Sequence, residues 1–184
     1  MQCVGEKWSV KAYFCIFLLL VSSISSAASK EEIDARVDSA LARFYEEVEF
    51  GRSLAAKSEG ILVFPRVVKA GFGVGGEFGE GALLVGGEKV AYYNTASASI
   101  GFQLGAQART QIVLFMTADE LERFRYTDSW EVGVDGSVAL IELGVGGDIN
   151  SSSLKEPIIG FVLNNKGLMY NLTLEGSKIT KISK

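Results

Sequence analysis

The stretch Gly60–Gly81, GILVFPRVVKAGFGVGGEFGEG, constrains the fold more than any other part of the chain. Its four consecutive apolar residues, Ile61 to Phe64, predict a strand that is buried on both faces. Pro65 is one of only two prolines in the sequence. Because proline has no N–H to donate to a strand ladder, the strand must end, bulge or lie at a sheet edge at this position.

The second part of the same stretch is dense in glycine. On an extended chain, alternate glycines fall on one side, and Phe72 falls on the other. A side without β-carbons lets another strand, a ligand or a lipid approach the backbone closely. The glycines expected at this close approach are Gly71, Gly73, Gly75 and Gly76. With 21 glycines but few prolines in 184 residues, the composition favours tight turns and closely packed strands over a disordered linker.

An amphipathic helix is predicted just before this stretch. Ser29 and Glu32 have the spacing of a capping box, in which each side chain satisfies a backbone N–H of the first turn. The apolar residues that recur at helical spacing are Ile33, Val37, Leu41, Phe44 and Val48. A helix packed on a sheet explains this stripe. The alternative is a helix lying on a membrane surface, but its polar faces carry more acid than base, whereas interfacial helices favour Lys and Arg.

The remainder of the chain reads mainly as short strands. Gly86-Gly87-Glu88 separates two apolar runs and predicts a hairpin. Thr117 and Glu120 form a second capping box, which opens a short helix. Further strands are expected at Ser97–Gln107, Gln111–Met116, Trp130–Val134, Val138–Leu143, Ile158–Leu163, Leu168–Leu174 and Lys178–Ile182, with a turn at Asn164–Gly167. The sequence therefore predicts an α+β fold, in which an N-terminal helix packs on a strongly curved antiparallel β-sheet, barrel-like or sandwich-like.

Residues 1–28 have the pattern of a secretory signal peptide. Lys7 and Lys11 precede an apolar run at Ala12–Val21, and Ser26-Ala27-Ala28 supplies small residues for cleavage. The apolar run is too short for a membrane-spanning helix, although an uncleaved anchor is the alternative. No cysteine stands at the cleavage site, so the usual lipoprotein arrangement is absent. We therefore expect a periplasmic or secreted protein with one domain at residues 29–184.

Cleavage would remove both cysteines, Cys3 and Cys15, and the sequence contains no histidine. Zinc sites built from Cys and His are then excluded, as is nucleophilic catalysis by a Cys–His or Ser–His–Asp arrangement. We expect a protein that is not an enzyme and needs no cofactor or metal. Losing Lys7, Lys11 and Glu6 with the leader leaves 16 basic and 21 acidic residues, a net charge of −5. Such a chain does not attract nucleic acid, so an anionic ligand needs a local basic patch.

Two cations, Arg66 and Lys69, directly follow Pro65. Arg supplies a planar fork of donors and Lys a point charge, a combination that suits a phosphate or a lipid headgroup. The alternative is that both are solvated and pair with nearby acids such as Glu77. Arg109 is a further candidate of the same kind.

Three segments of the sequence together resemble a known family. They are GILVFPRVVKAGFGVGGEFGEGALLV, YYNTASASIGFQLGAQ and NKGLMYNLTLEGSKITKI. In this order they resemble the SYLF domain, and the resemblance extends from Val37 to the end of the chain. SYLF domains of eukaryotic proteins bind phosphoinositides or other anionic lipids, and bacterial members carry a signal peptide.

The resemblance implies non-enzymatic binding of anionic phospholipid or of a membrane surface at the cell envelope. Arg66 and Lys69 would hold the headgroup, with Arg109 as a weaker candidate. Phe64 and Phe72 would supply apolar contact, together with Val67 and Val68. The alternative function is an envelope structural or protein-interaction module that binds an envelope protein without depending on lipid.

Overall fold

The computed structural model describes residues 28–142, 155–166 and 176–184, apart from the side chains of residues 72–74, 99–106, 142 and 164–166. Residues 1–27 of the predicted leader and the predicted strand Leu168–Leu174 lie outside the described residues. No helix among the described residues is long and apolar enough to cross a membrane.

The described residues form three helices and six strands, and the predicted α+β class is confirmed. The helices are α1 (Lys30–Glu47), α2 (Gly51–Lys57) and α3 (Ala118–Tyr126). The strands are β1 (Gly60–Val85), β2 (Glu88–Phe115), β3 (Ser129–Glu131), β4 (Ala139–Glu142), β5 (Ile158–Lys166) and β6 (Lys178–Ile182).

Both capping boxes begin helices as predicted. The Oγ of Ser29 accepts a hydrogen bond from the N–H of Glu32 at 3.2 Å, and Thr117 Oγ1 accepts one from the N–H of Glu120 at 3.4 Å. Every residue of the predicted apolar stripe on α1 is buried. Gly51, expected to end the first helix, instead begins α2. A β-carbon on Gly51 would lie 3.1 Å from the carbonyl oxygen of Phe44, so this glycine allows the second helix to turn tightly against the first.

The sheet is dominated by one very long hairpin. β1 and β2 pair antiparallel from Gly60↔Phe115 to Val85↔Glu88. The predicted turn is confirmed, since Gly86 and Gly87 have φ values of 60° and 86°, which favour glycine. The short strands that the sequence predicts between residues 82 and 116 are therefore parts of β1 and β2.

The remaining strands flank the two ends of β2, in the order β3-β6-β2-β5-β4, with β1 on the other side of β2. The expectation of an antiparallel sheet is wrong for one pair, because β4 and β5 run parallel and the sheet is mixed. Residues 143–157 join these two strands, a connection long enough for a crossover. The turn predicted at Asn164–Gly167 is also wrong in its first three residues, which belong to β5.

The sheet is strongly curled and is covered on both faces. The outer face, with Val63 and Ile112, packs against α1 and α2. The inner face, with Phe64 and Phe115, encloses α3 and Trp130. Burial on both faces explains why the sequence from Ile61 to Phe64 is continuously apolar.

Glycines allow β1 to curl over its own first half. A β-carbon on Gly81 would lie 2.0 Å from the carbonyl oxygen of Val63, and one on Gly79 would lie 2.8 Å from Cγ2 of Val67. A β-carbon on Gly76 would meet nothing nearer than the carbonyl oxygen of Ser97, at 3.9 Å. The crowding therefore lies at Gly79 and Gly81, and the backbone that approaches them belongs to the same strand.

Candidate functional site: a cationic groove beside a β-bulge

A β-bulge interrupts β1 at the predicted position, Pro65. Phe64 pairs with Gln111 and Val67 pairs with Arg109, so two residues of β1 face Thr110 alone. The hydroxyl of Thr110 donates to the carbonyl of Pro65 at 2.9 Å. The extra residue shifts the alternation of side chains, so that Phe64 and Val67 both face the inner core while Arg66 is exposed on the outer side.

A cavity of about 520 Å³ lies between this bulge and α1. Four residues with guanidinium groups line it: Arg36 and Arg43 from α1, Arg66 from β1 and Arg109 from β2. Arg36 and Arg43 are seven residues apart, which places them on one side of the helix, about 10 Å from each other along its axis. The small side chains Ser39 and Ala40 lie between them, Ala35 precedes Arg36, and all three line the cavity.

The charges of Arg36, Arg43 and Arg66 remain accessible. Arg36 pairs with Glu32 one helical turn away, and Nε of Arg43 lies 3.7 Å from Oε1 of Glu47. Both pairs are solvent-exposed and hence weak, so either guanidinium can turn toward an incoming anion at little cost. Within the part of the chain that the structure describes, no carboxylate pairs with Arg66.

Arg109 borders the same cavity, but its charge is already compensated. Its side chain is 1% exposed, and Nη2 donates to the two carboxylate oxygens of Glu77 at 2.6 and 2.7 Å. Gln111 donates a further hydrogen bond to Glu77 at 3.0 Å. Glu77 therefore pairs with Arg109 on the inner face, and it is not the partner of Arg66 or Lys69.

The structure separates Lys69 from Arg66. The two residues are three positions apart on a strand, which places them on opposite faces. Lys69 is buried on the side of Val67, so it does not share the groove of Arg66.

Among the predicted aromatic and glycine positions, Gly76 lines a cavity that also contains Arg36 and Arg66. Phe64 is fully buried in the inner core, and the side chain of Phe72 is outside the described features. The backbones of four predicted residues pair across the hairpin, as Gly71↔Gly105, Phe72↔Leu104, Gly75↔Ser99 and Gly76↔Ala98, while Gly73 lies at a register shift.

Exposed apolar side chains lie beside the groove at other positions. A second cavity of about 600 Å³ shares Arg36, Pro65 and Arg66 with the first and is also lined by Val68 and Phe78. Phe78 is 53% exposed and Val68 is 37% exposed, which is unusual for large apolar residues. The two cavities together place cationic and apolar side chains on either side of Arg66.

Sequence reasoning missed Arg36, Arg43 and Phe78. The heptad separation of Arg36 and Arg43, with small residues between them, was a usable signal for the two helical residues. Phe78 carried no such signal, because only the curl of β1 brings residue 78 next to residue 66.

A polar cluster fixes α1 on the sheet and thereby positions its arginines. The hydroxyl of Tyr92 donates to Asp34 Oδ1 at 2.7 Å, and Lys30 Nζ lies 2.9 Å from Asp34 Oδ2. Partial burial acts to raise the pKa of Asp34, but the hydrogen bonds from Lys30 and Tyr92 outweigh it and hold this pKa below its usual value. A second contact, from Lys89 to Asp38 at 2.6 Å, joins the helix to β2.

The described residues contain no group of three or more His, Cys, Asp or Glu side chains placed to hold a metal ion. The fold and the site together define an α+β protein with an arginine-lined groove between its first helix and a curled sheet.

Comparison with known proteins then identifies a family domain in the second half of the chain. Residues 96–184 match the model of the family Ysc84, described as "Las17-binding protein actin regulator". The second half of the chain therefore carries a domain of this family, the SYLF family that the sequence motifs resemble. The match begins within β2, so Arg36, Arg43 and Arg66 lie before it. No match to the chain is found among curated protein sequences.

Proposed function

We propose that the protein binds anionic phospholipid headgroups at the cell envelope, without catalysing a reaction on them. The observation that carries this proposal is the presence of Arg36, Arg43 and Arg66 at one open cavity. Guanidinium groups bind phosphate oxygens with two parallel hydrogen bonds, and three of them can share one phosphorylated headgroup. The negative charge of the whole chain makes this patch the place where an anion is attracted.

The second cavity supports a lipid rather than a free anion. Val68 and Phe78 offer exposed apolar surface directly beside Arg66. A phospholipid has an anionic head next to apolar chains, and this order matches the order of side chains along the groove. Val68 thus has the contact role that the sequence assigned to it, and Phe78 takes this role in place of the buried Phe64.

Vesicle co-sedimentation tests the proposal. Vesicles of phosphatidylglycerol in phosphatidylcholine should retain the wild-type protein, and added salt should release it, because exposed charges are screened. The double variant Arg43→Ala/Arg66→Ala should bind at least tenfold more weakly. Arg123→Ala, which removes an exposed arginine on α3 that pairs with Glu120, is the matched control. Equal binding by the double variant and the control would rule out the groove as the headgroup site.

A protein partner is the second candidate, and the family description favours it, since it names binding of the protein Las17. The same exposed residues, Val68 and Phe78, would then contact a protein of the cell envelope. This candidate predicts capture of one envelope protein in the absence of lipid, and capture that persists in the Arg43→Ala/Arg66→Ala variant. Loss of capture on delipidation would count against it.

A further inference from the structure

Ala28 is held at both of its backbone polar groups. Its N–H donates to Oε2 of Glu80 at 3.1 Å, and its carbonyl oxygen accepts from Nζ of Lys184 at 2.9 Å. Lys184 Nζ also lies 2.9 Å from the other oxygen of Glu80, Oε1. These three contacts form a closed ring, and each carboxylate oxygen of Glu80 has its own donor.

The side chains of the ring are partly shielded from solvent, although Lys184 as a whole residue is exposed. The side chains of Glu80 and Lys184 are only 15% and 11% exposed, and Ala28 packs against the outer core. Charge-assisted hydrogen bonds in such a setting are stronger than those at an exposed surface. Residue 28 is therefore an integral part of the folded protein.

This observation bears on the predicted leader. Cleavage after Ala27 and cleavage after Ala28 both satisfy the small-residue requirement, with Ser25 or Ser26 two residues further upstream. A cut after Ala28 would remove the residue that closes the ring, leaving Glu80 Oε2 without this donor and Lys184 without this acceptor. A cut after Ala27 keeps every contact and converts the donating amide into an ammonium group.

We propose that the leader is cleaved between Ala27 and Ala28, and that Glu80 is the binding site for the α-ammonium group that this cut creates. The boundary is one residue earlier than the one expected from the sequence alone. One carboxylate then bridges two cations, the new amino group and Lys184. The cut consumes one water across the peptide bond, which leaves a carboxylate on Ala27 and the amine on Ala28.

Intact mass is the direct test. The full chain is expressed with its own leader in a bacterial host, and the mass and N-terminal sequence of the purified protein are determined. We expect a protein that starts at Ala28. A start at Ser29, or a chain that retains its leader, would overturn the proposal.

A second test distinguishes the ammonium group from an ordinary amide. The protein is unfolded thermally at pH 7 and pH 9.5 as wild type, as Glu80→Gln and as Glu88→Gln. Glu88, the exposed first residue of β2, serves as the control. At pH 7 we expect Glu80→Gln to unfold about 2–4 °C below wild type, the shift that a modest loss of stability causes in a protein of this size. The control should match wild type.

The pH dependence has a definite sign. An α-amino group titrates near pH 7.7–8.0 when unperturbed, and Glu80 raises this pKa in the folded state. The contribution of the ammonium–Glu80 contact to the stability of the fold is therefore complete below about pH 7.7. It is lost as the pH rises through the pKa that the amine has in the folded state. The other charged groups around it are Lys184 and, along the second cavity, Arg36 and Arg66. Glu77 also lines that cavity, but its carboxylate is held by Arg109 on the inner face. The difference in unfolding temperature between wild type and Glu80→Gln should therefore be smaller at pH 9.5 than at pH 7.

An equal difference in unfolding temperature at both pH values would show that Glu80 contacts an uncharged amide of Ala28. That result would overturn the assignment of an ammonium group. If Glu80→Gln does not fold, NMR titration of the Ala28 amine in the wild-type protein replaces it. A pKa at or below the usual 7.7–8.0 would then contradict binding by Glu80.

Discussion

Arg66 and Arg109 lie almost opposite each other on the β1–β2 hairpin, yet their surroundings differ completely. Arg66 sits on the outer side of a bulge, exposed and without a carboxylate partner among the described residues. Arg109 points into the curled sheet and shares Glu77 with Gln111. The outer face thus retains a charge that can meet a ligand, whereas the inner face neutralises its charge as part of the core. This difference predicts how substitutions on each face affect the stability and the binding of the protein.

The largest effect is expected where the inner face is most crowded. Gly81→Ala would place a β-carbon 2.0 Å from a backbone oxygen of Val63, and a backbone neighbour cannot move aside as a side chain can. We expect a loss of at least about 3 kcal/mol in the free energy of unfolding, or no folded protein.

Gly76→Ala on the outer face is the matched control, because its β-carbon would have 3.9 Å of clearance. Urea unfolding of both variants checks the prediction. Similar stabilities for the two alanine variants would mean that β1 does not curl as tightly as the structure shows.

The buried ion pair should produce the next largest effect. Arg109→Met leaves the Glu77 carboxylate buried without its cation, which costs about 3–5 kcal/mol. Adding Glu77→Leu should recover much of that loss, because no uncompensated charge then remains. Arg123→Ala breaks the exposed pair with Glu120 and should cost no more than about 1 kcal/mol. Urea unfolding of wild type, Arg109→Met, Arg109→Met/Glu77→Leu and Arg123→Ala measures these free energies. Equal losses for Arg109→Met and Arg123→Ala would contradict the difference between the buried and the exposed ion pair.

Arg66→Ala should change function rather than stability. The side chain is exposed, so the free energy of unfolding should stay within about 0.5 kcal/mol of wild type. Vesicle binding should nevertheless fall, since Arg66 lines both cavities and no described carboxylate pairs with it. Measuring both quantities on the same preparation sharpens the comparison with Arg109. A large loss of stability would show that Arg66 serves the core as Arg109 does.

The smallest effect is expected at the contact that joins α1 to the sheet. The folded state lowers the pKa of Asp34 from its ordinary value of 3.8. Its contribution to stability is therefore present above that value and is lost as the pH falls through the lower, folded pKa. Wild type should exceed Asp34→Asn in stability at pH 6, and the difference should shrink toward pH 3. A constant difference in urea unfolding across this range would contradict the assignment.

Local patterns in the sequence determined much of the fold. The two capping boxes, the apolar stripe of α1, the glycine turn and the bulge at Pro65 all depend on residues close together in the chain. Their physical causes are hydrogen bonds to the first helical turn, helical periodicity, a positive φ and a missing N–H. The strand at Lys178–Ile182 and the α+β class follow from the same kind of reasoning.

Only the tertiary structure decided which face each candidate occupies and what lies opposite it. The extra residue at Pro65 changes the alternation, so Arg66 faces outward and Lys69 inward, while the curl brings Phe78 to Arg66 and Glu77 to Arg109. The parallel pairing of β4 with β5 is likewise a tertiary contact that no local pattern predicts. These pairings join residues far apart in the chain, because a strand's side-chain pattern gives the two faces but not the partner that covers each of them.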